Sequence, residues 1–331
     1  MAKAYYSEVA AMKKVACVGI LVADVIVSTV STIPKKGTLE NVNSISLHNG
    51  GNAMTAAINL KKLGCDSSIV GMVGSDSFGE FLEKKLKESG VCTKGLKYSS
   101  DAQTSTSVLM IDENGERTFF HVIGANGKVT YENIDFNVIN GCDAVFLTGT
   151  FLLPGLDGEP TAKLLKKCRE AGKKTFLDVQ WDSSGRWMET LGYAMPYIDV
   201  FMPSIDEARQ LSKKDTPEEM ADVFLNKGVG AVVIKMGGDG CFYKEAGKKP
   251  CFISAYKNIK VVDTTGAGDS FCSGFLAAYS HGRDFAFCAE FANAAGALSV
   301  TKKGATSGIT TYSDVENFMK TKEEEANVSN T

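Results

Sequence analysis

The chain has 331 residues, of which 44% are hydrophobic and 23% are charged, so it is long enough to build a thick core. Its 36 Lys and Arg residues against 39 Asp and Glu residues give a net charge of −3, which excludes the basic surface of a nucleic-acid-binding protein. No stretch approaches the roughly 20 apolar residues of a membrane span. Nine cysteines without a CxxC pair indicate neither a disulfide framework nor a zinc site. We therefore expect a cytoplasmic protein that binds neither nucleic acid nor membrane.

Short apolar runs rich in β-branched residues recur along the chain and alternate with amphipathic helical patterns. The predicted strands begin at Val15, Ser68, Ala144, Thr175, Asp199 and Ala231. The predicted helices cover Phe78 to Ser89, Thr161 to Ala171 and Pro217 to Lys227. Buried strands that alternate with helices are typical of an α/β fold with a mostly parallel, doubly wound sheet.

Two segments interrupt this alternation, at residues 24–48 and 103–124. The first has alternating apolar and polar residues, and the second contains the sequence Asp112 to Gly115, which is typical of a hairpin turn. We expect the two segments to form a small β-sheet, which is either a lid or a β-extension without function. No interior linker is present, so the sequence predicts a single domain over residues 1–320. We expect the polar tail, residues 321–331, to be disordered.

The most informative glycine cluster is Gly266-Ala267-Gly268-Asp269. A short strand is predicted before it, over residues 259–262, and a helix is predicted to begin near Gly268 or Asp269. The N–H groups at a helix N-terminus form an anion site, but a carboxylate there would repel a phosphate. Asp269 is explained if it accepts the proton of a hydroxyl that attacks the phosphate. The alternative is an ordinary N-cap residue.

Two further clusters also follow predicted strands or open predicted helices. The residues 50–52 (Gly-Gly-Asn) open a helix, and their backbone and amide groups suit a polyhydroxylated ligand, with a plain helix cap as the alternative. The residues 237–240 (Gly-Gly-Asp-Gly) either admit a nucleotide or form a simple β-turn. Neither cluster is a Walker A loop or a GxGxxG fingerprint, which argues against P-loop kinases and dinucleotide dehydrogenases.

The order of two motifs, GGNAMTAA from Gly50 and DTTGAGDSFCSGF from Asp263, resembles the ribokinase-like sugar kinases, also called the phosphofructokinase-B family. The resemblance extends over nearly the whole chain, from Gly19 to Ala305. It implies a three-layer α/β/α sandwich with a small β-sheet lid. It also implies an enzyme that transfers a phosphoryl group from ATP to an alcohol.

The resemblance assigns roles to individual positions. Asp269 is expected to be the base for the sugar hydroxyl. Gly266, Ala267 and Gly268 are expected to form the anion hole for the γ-phosphoryl group. The residues expected to hold the sugar are Asp24, Gly50, Gly51, Asn52 and Asn126. Those expected to border ATP and Mg²⁺ are Ser204, Glu207, Lys235, Gly237, Gly240 and Asn293. Those expected beside a monovalent cation such as K⁺ are Asp263, Thr265, Ser299 and Gly304.

Three positions depart from the family pattern. Ser204 stands where the Asn of the family's Asn-x-x-Glu element is usual, and Lys235 stands where a Thr usually precedes the nucleotide turn. The Lys235 ammonium either pairs with a phosphate or is solvated. The family's Asp-x-Asn-x-Arg segment begins here at Asp178, with Arg186 displaced downstream, so the segment does not identify the sugar.

The sequence thus predicts an ATP- and Mg²⁺-dependent kinase that phosphorylates a primary hydroxyl of ribose, fructose, 2-keto-3-deoxygluconate or a similar monosaccharide. A nucleoside kinase of the same family is the nearest alternative, with Phe119, Phe120 and Ile123 as an apolar wall for a purine. A non-catalytic sugar-binding or regulatory protein is a third interpretation, which the intact motif at Asp269 disfavours. Since lids of this family commonly pair, we also expect a homodimer through the lid.

Overall fold

Strands and helices alternate along most of the chain in the computed structural model, which describes residues 14–113 and 116–329. The strands are β1 (Lys14–Gly19), β2 (Val22–Ser28), β3 (Ser44–Gly50), β4 (Asp66–Gly74), β5 (Cys92–Ser99), β6 (Thr106–Ile111), β7 (Arg117–Val122), β8 (Ala144–Thr150), β9 (Lys174–Val179), β10 (Val200–Phe201), β11 (Ala231–Lys235), β12 (Cys241–Glu245) and β13 (Cys251–Ile253). The α-helices are α1 (Asn52–Lys62), α2 (Ser77–Glu88), α3 (Phe136–Asn140), α4 (Glu159–Glu170), α5 (Met188–Leu191), α6 (Ile205–Ser212), α7 (Pro217–Asn226), α8 (Ala267–Ser280), α9 (Phe285–Ser299) and α10 (Tyr312–Ser329).

The main sheet of the described ranges has nine strands in the order β13-β12-β11-β10-β9-β8-β1-β4-β5. Pairing is parallel from β5 to β11 and antiparallel between β11, β12 and β13. All six predicted strands lie in this sheet, and the three predicted helices are α2, α4 and α7, within two residues of the predicted starts. The predicted mostly parallel sheet is therefore confirmed.

The sheet is buried on both faces, because successive residues of its strands enter different hydrophobic cores. In β1, Val15 and Cys17 belong to one core, and Ala16 and Val18 belong to the other. All four are fully buried. Helices on the two faces of the sheet cover these cores, which confirms the predicted three-layer sandwich.

The two irregular segments form one separate four-stranded sheet, in the order β3-β2-β6-β7. Strand β2 pairs antiparallel with β3 and parallel with β6, and β6 and β7 form an antiparallel hairpin. Residues 114 and 115 of the predicted hairpin turn lie outside the described residues. We call this small sheet the lid sheet.

Two segments differ from the sequence-based expectation. Residues 259–262 form no strand, since the N–H of Val262 donates to the carbonyl of Val300, at the end of α9, at 2.7 Å instead of to a strand. Helix α10 continues through residues 321–329, where a disordered tail was expected. The ring of Phe318 in α10 packs against the ring of Tyr256, with 5.1 Å between the ring centroids. The Glu and Ala residues that follow Phe318 in the sequence favour a helix.

The sequence-based expectations about disulfides and membrane spans can be compared with the fold. All nine cysteines lie within the described residues and are free thiols, seven of them buried. Free cysteines at such positions pack as small apolar side chains. Among the helices of the described ranges, none combines the length and the apolar character needed to cross a membrane.

Candidate active site

The N-termini of α1 and α8 lie side by side at the edge of the main sheet where the parallel strands end. On its other side α8 packs closely against α9, where a Cβ added to Gly274 would lie 2.7 Å from the Cβ of Ala295. The amide of Asn59 in α1 donates to the hydroxyl of Ser270 in α8 at 3.1 Å. The carboxyl edge of a parallel sheet is where open α/β folds bind ligands.

Asp269 lies in the first turn of α8, and its side chain is buried. The amide nitrogen of Asn52 donates to Oδ1 of Asp269 at 2.6 Å. The N-cap of α8 is Gly266, and Asp269 makes no side-chain capping bond to the helix, so Asp269 is not an N-cap residue. Burial raises the pKa of Asp269 above its ordinary value, although the bond from Asn52 and the charge of Lys235 oppose the shift. A carboxylate with a raised pKa is a suitable general base.

The turn before α8 is held tightly. Gly266 has a φ of +73°, and a Cβ at this position would lie 2.7 Å from the Cβ of Ala305, so only glycine fits without strain. The N–H of Ala267 donates to the carbonyl of Thr264 at 3.2 Å. The N–H of Gly268 has no such partner within the described residues. The open N–H groups of this turn therefore include that of Gly268, at the positive end of the α8 dipole.

A cavity of about 730 Å³ opens beside this turn. Its wall contains Ala267 and Gly268 of the turn. The residues that were predicted to border ATP and that line this cavity are Ser204, Lys235, Gly237, Gly240 and Asn293. Tyr256 and Val261 add an apolar wall. The cavity thus brings five of the six predicted nucleotide residues together at the anion-binding turn, and Glu207 does not line it.

The side chain of Lys235 is largely buried, with 12% of it exposed, and is paired, which neither sequence interpretation foresaw. Its ammonium contacts Oδ1 of Asp178 at 2.6 Å, and the Asp178 side chain is 1% exposed. Burial alone would lower the pKa of Lys235, but the carboxylate of Asp178 outweighs it and raises the pKa. A Cβ added to Gly268 would lie 3.7 Å from the Lys235 nitrogen. A fixed positive charge therefore lies beside the anion-binding turn.

Ser204 and Glu207 form a capping box at the start of α6. The N–H of Ser204 donates to Oε2 of Glu207 at 2.7 Å, and the N–H of Glu207 donates to the Ser204 hydroxyl at 3.3 Å. Serine thus keeps the capping role that asparagine would have here. The carboxylate of Glu207 also raises the pKa of Asp269, so it lies close enough to act on the site electrostatically.

Four polar residues form a row across the lid sheet. Asp24 of β2 pairs with His48 of β3 on one side and with Ser107 of β6 on the other, and Ser107 pairs with His121 of β7. The Ser107 hydroxyl lies 3.0 Å from Nδ1 of His121. Burial raises the pKa of Asp24 to about 6, and the hydrogen bond from Ser107 opposes this shift. Because side chains alternate along a strand, all four lie on one face of the lid sheet.

Three of the residues predicted to hold sugar have tight backbone environments. A Cβ on Gly50 would lie 1.9 Å from Oδ2 of Asp24, and one on Gly51 would lie 2.5 Å from the carbonyl of Ile20. These glycines allow the start of α1 to approach β2. Asn126 is buried, and its amide bonds the backbone of Leu21 in both directions, at 3.0 and 3.2 Å. Asn126 therefore fixes the chain before β2, and we do not assign it to the sugar.

The residues predicted to hold a monovalent cation are already engaged. Asp263 accepts a hydrogen bond from Arg117 of the lid at 2.7 Å and one from the N–H of Gly304 at 2.9 Å. The hydroxyl of Ser299 donates to the carbonyl of Gly296 at 2.7 Å. These side chains are therefore hydrogen-bonded within the protein.

No preformed metal cage is built by the described residues, because they contain no group of three or more His, Cys, Asp or Glu side chains close enough to share an ion. A Mg²⁺ ion does not need such a cage, because it usually keeps several waters and binds through one or two carboxylates together with substrate phosphates. Glu207 does not line the cavity, but it lies in the first turn of α6 next to Asp206, which does, and its carboxylate is of the required type.

Comparison with known proteins places this chain in a family of kinases. The model of the pfkB family of carbohydrate kinases matches residues 12–311. A 2-dehydro-3-deoxygluconokinase of Bacillus subtilis is 28% identical over 295 residues, which cover 86% of this chain and 90% of that protein. The structure of a ribokinase of Arabidopsis thaliana complexed with ribose and ATP superposes with a TM-score of 0.81 at 26% identity, over 94% of this chain and 99% of that one. A nucleoside kinase of Methanocaldococcus jannaschii superposes with a TM-score of 0.79 at 25% identity over the same shares.

The fold and the site define a phosphotransferase with the architecture of the ribokinase group. The chain belongs to the pfkB family of carbohydrate kinases. The three relatives above differ in the substrates in their names, so identity at this level does not select one sugar.

Three residues of the site were missed by the sequence analysis: Arg117, Ser107 and His121. Ser107 and His121 were within reach, because a hairpin centred on residue 114 pairs them directly. Arg117 was given no role. Its contact with Asp263 joins positions 146 residues apart, and no local pattern indicates it.

Proposed function

We propose that this chain transfers the γ-phosphoryl group of ATP to a primary hydroxyl of a monosaccharide. The observation that carries the proposal is the buried carboxylate of Asp269, which is held by Asn52 at 2.6 Å and adjoins the cavity through Gly268. The sugar oxygen attacks the γ-phosphorus, its proton passes to Asp269, and the bond to the bridging oxygen breaks to release ADP. Such transfer depends mainly on positioning and charge neutralisation.

ATP is the donor that best suits the cavity. Its volume of about 730 Å³ lies within the ~300–1,000 Å³ of small-molecule sites. The triphosphate would point to the N-terminus of α8, where the N–H of Gly268 and the ammonium of Lys235 meet it. The Arabidopsis ribokinase, whose structure contains ATP, supports this assignment.

Mg²⁺ would supply charge neutralisation on the phosphates when it is bound. Glu207 is the residue that would hold it or its waters. The remaining charge on the phosphates falls to this chain's own groups, the α8 dipole and Lys235. With a net charge of −3, the protein needs such local groups to hold a polyanion.

The sugar would lie between the lid sheet and α1. Asp24 offers a carboxylate to hydroxyl groups, and Asn52 joins that surface to Asp269. His48 and His121, at the two ends of the row, add ring nitrogens to it. A row of acceptors and donors at strand spacing suits a ligand with several hydroxyls.

A nucleoside is the second candidate substrate, and one observation favours it. Phe119 lies two residues from His121 and therefore on the same face of the lid sheet, with 55% of its surface exposed. An exposed ring beside a polar row could stack on a base. Phe120 points to the other face, so only one of the two predicted phenylalanines can form this wall.

We also propose that two copies pair through the outer face of the lid sheet. Phe120 lies on this face and is 64% exposed. Ile45, from β3 at the other edge, shares the face and is 67% exposed. Sedimentation of the chain and of Phe120→Glu tests the pairing. We expect a dimer that the variant dissociates, and a monomeric parent chain would contradict it.

A coupled assay of ADP release tests the proposed activity. The substrates to compare are ribose, fructose, 2-keto-3-deoxygluconate, inositol and nucleosides. We expect release above the sugar-free rate with a monosaccharide. Release only with nucleosides would select the second candidate, and no release with any acceptor would leave a binding protein.

A further inference from the structure

We propose that the guanidinium of Arg117 takes the place of a monovalent cation beside the anion-binding turn, so that this enzyme works without K⁺. The inference rests on the proposed function, because it concerns the turn that would hold the transferring phosphoryl group. It replaces the sequence-based expectation of a K⁺ site at Asp263 and Thr265.

Arg117 is the first residue of β7 and reaches from the lid sheet to the segment before α8. Its Nη2 donates to Oδ1 of Asp263 at 2.7 Å, and its Nη1 donates to the hydroxyl of Thr265 at 3.0 Å. The side chain of Asp263 is 12% exposed and that of Arg117 is 29% exposed. The planar guanidinium thus binds both residues at once, as its fork geometry allows.

The carboxylate of Asp263 accepts four hydrogen bonds. Besides Arg117, its Oδ1 accepts from the N–H of Thr265 at 2.9 Å and from the Thr265 hydroxyl at 2.7 Å. Its Oδ2 accepts from the N–H of Gly304 at 2.9 Å. Three of these four donors meet Oδ1 and one meets Oδ2, so Oδ1 has no free lone pair and Oδ2 keeps one. A K⁺ ion at that position would share the carboxylate with a guanidinium that lies 2.7 Å from Oδ1, and the repulsion between the two positive charges disfavours it.

The charge of Asp263 is nevertheless stable where it lies. Burial would raise its pKa, but the hydrogen bonds from Gly304 and Thr265 and the charge of Arg117 lower it below the ordinary value. The carboxylate therefore stays ionised and keeps the guanidinium in place. Here the positive charge is supplied by the chain itself.

The guanidinium of Arg117 lies next to the segment that leads into α8. Thr265 directly precedes Gly266, the N-cap of α8, so Arg117 acts one residue before the anion-binding turn. It fixes the segment that orients the N–H of Gly268, and it adds positive potential near the phosphates. Because Arg117 belongs to β7, the lid sheet and the turn are joined by the same ion pair.

The test compares ATP turnover in KCl and in tetramethylammonium chloride at equal ionic strength. We expect the parent enzyme to differ by no more than about twofold between the salts, since no cation binds the folded chain selectively. Arg117→Met should lose about tenfold in kcat without K⁺, less than direct removal of an oxyanion donor costs, and K⁺ should restore most of it. Arg117→Lys, which keeps the charge, should not respond to K⁺.

The thermal unfolding midpoint in the same two salts gives a readout that needs no turnover. K⁺ should raise the midpoint of Arg117→Met and leave that of the parent chain unchanged, because a ligand stabilises only the state that binds it. Lys128→Met is a matched control, since Lys128 forms an exposed lid-side pair with Asp101 at 2.9 Å. It should show no K⁺ response.

Three results would overturn the inference. They are a parent enzyme that requires K⁺, an Arg117→Met variant with parental turnover in tetramethylammonium, and a variant that K⁺ neither reactivates nor stabilises. If no acceptor is phosphorylated at all, the proposed function fails, and the unfolding midpoints still decide the role of Arg117.

Discussion

The side-chain amide of Asn52 donates a hydrogen bond of 2.6 Å to Oδ1 of Asp269 and so joins the first residue of α1 to the first turn of α8. This bond favours the ionised form of a carboxylate whose pKa is raised by burial. It connects the sugar-binding side of the site to the proposed base.

Removal of this bond should shift the pH dependence of turnover. In Asn52→Leu the pKa of Asp269 rises further, because the bond that lowers it is lost. Since the base works only when deprotonated, the acid limb of kcat should move to higher pH. Asn59→Ala removes the other α1 amide that bonds α8 and should leave the limb in place. An unmoved limb in Asn52→Leu would show that the bond does not tune the base.

Substitutions in the ion pair of Lys235 and Asp178 should distinguish the role of the pair in stability from its role in catalysis. Lys235→Met leaves a buried carboxylate without its partner, which should cost about 3–5 kcal/mol of unfolding free energy. The double variant Lys235→Met with Asp178→Leu removes both charges and should recover most of that stability. Denaturant titration and turnover are measured together. Recovery of turnover along with stability would mean that the ammonium has no role at the phosphates.

The two glycines of the anion-binding turn should respond differently to the same change. Gly266→Ala places a Cβ 2.7 Å from that of Ala305 at a φ of +73°, so the turn must shift and turnover should fall by roughly 10² or more, as for loss of an oxyanion-type donor. Gly268→Ala meets only an ordinary contact of 3.7 Å with Lys235 and should keep the parental melting temperature. Equal melting temperatures for both variants would contradict the steric argument.

Sugar affinity should depend on pH through Asp24. Its pKa of about 6 means that the carboxylate is protonated as the pH falls through 6, and its ionised fraction then drops about tenfold for each further pH unit. The KM for the sugar should rise over that range while the KM for ATP does not. Asp24→Asn should bind the sugar weakly at every pH, without this dependence. If the sugar KM of Asp24→Asn kept the pH dependence of the parent enzyme, we would assign that dependence to His48 instead.

The sequence predicted most of the framework because its strands and helices have strong local periodicity. Buried strands such as β1 and β8 are continuous apolar runs, and α2 carries an apolar face. The run before Asp263 shows the limit of such patterns. Its β-branched residues favour a strand, yet Val261 lies in the cavity wall and Val262 bonds the end of α9. Tertiary contacts decide such short segments.

The site was predictable where one segment holds the chemistry and unpredictable where distant segments meet. The motif at Asp269 marks the turn and the helix start by itself. The pairing of Lys235 with Asp178 depends on β9 and β11, which are separated by the two-residue strand β10. The row at Asp24 needs the register of β2 and β3, and the long connection between these strands does not fix it.

The most direct test of the account is the turnover of Asp269→Asn with the best acceptor, measured as ADP release alongside ATP binding by calorimetry. The account predicts a kcat lower by roughly 10²–10⁴, the range of general-base catalysis, with ATP affinity and melting temperature near those of the parent enzyme. A variant that binds ATP and retains a near-parental kcat would contradict the assignment of Asp269 as the base.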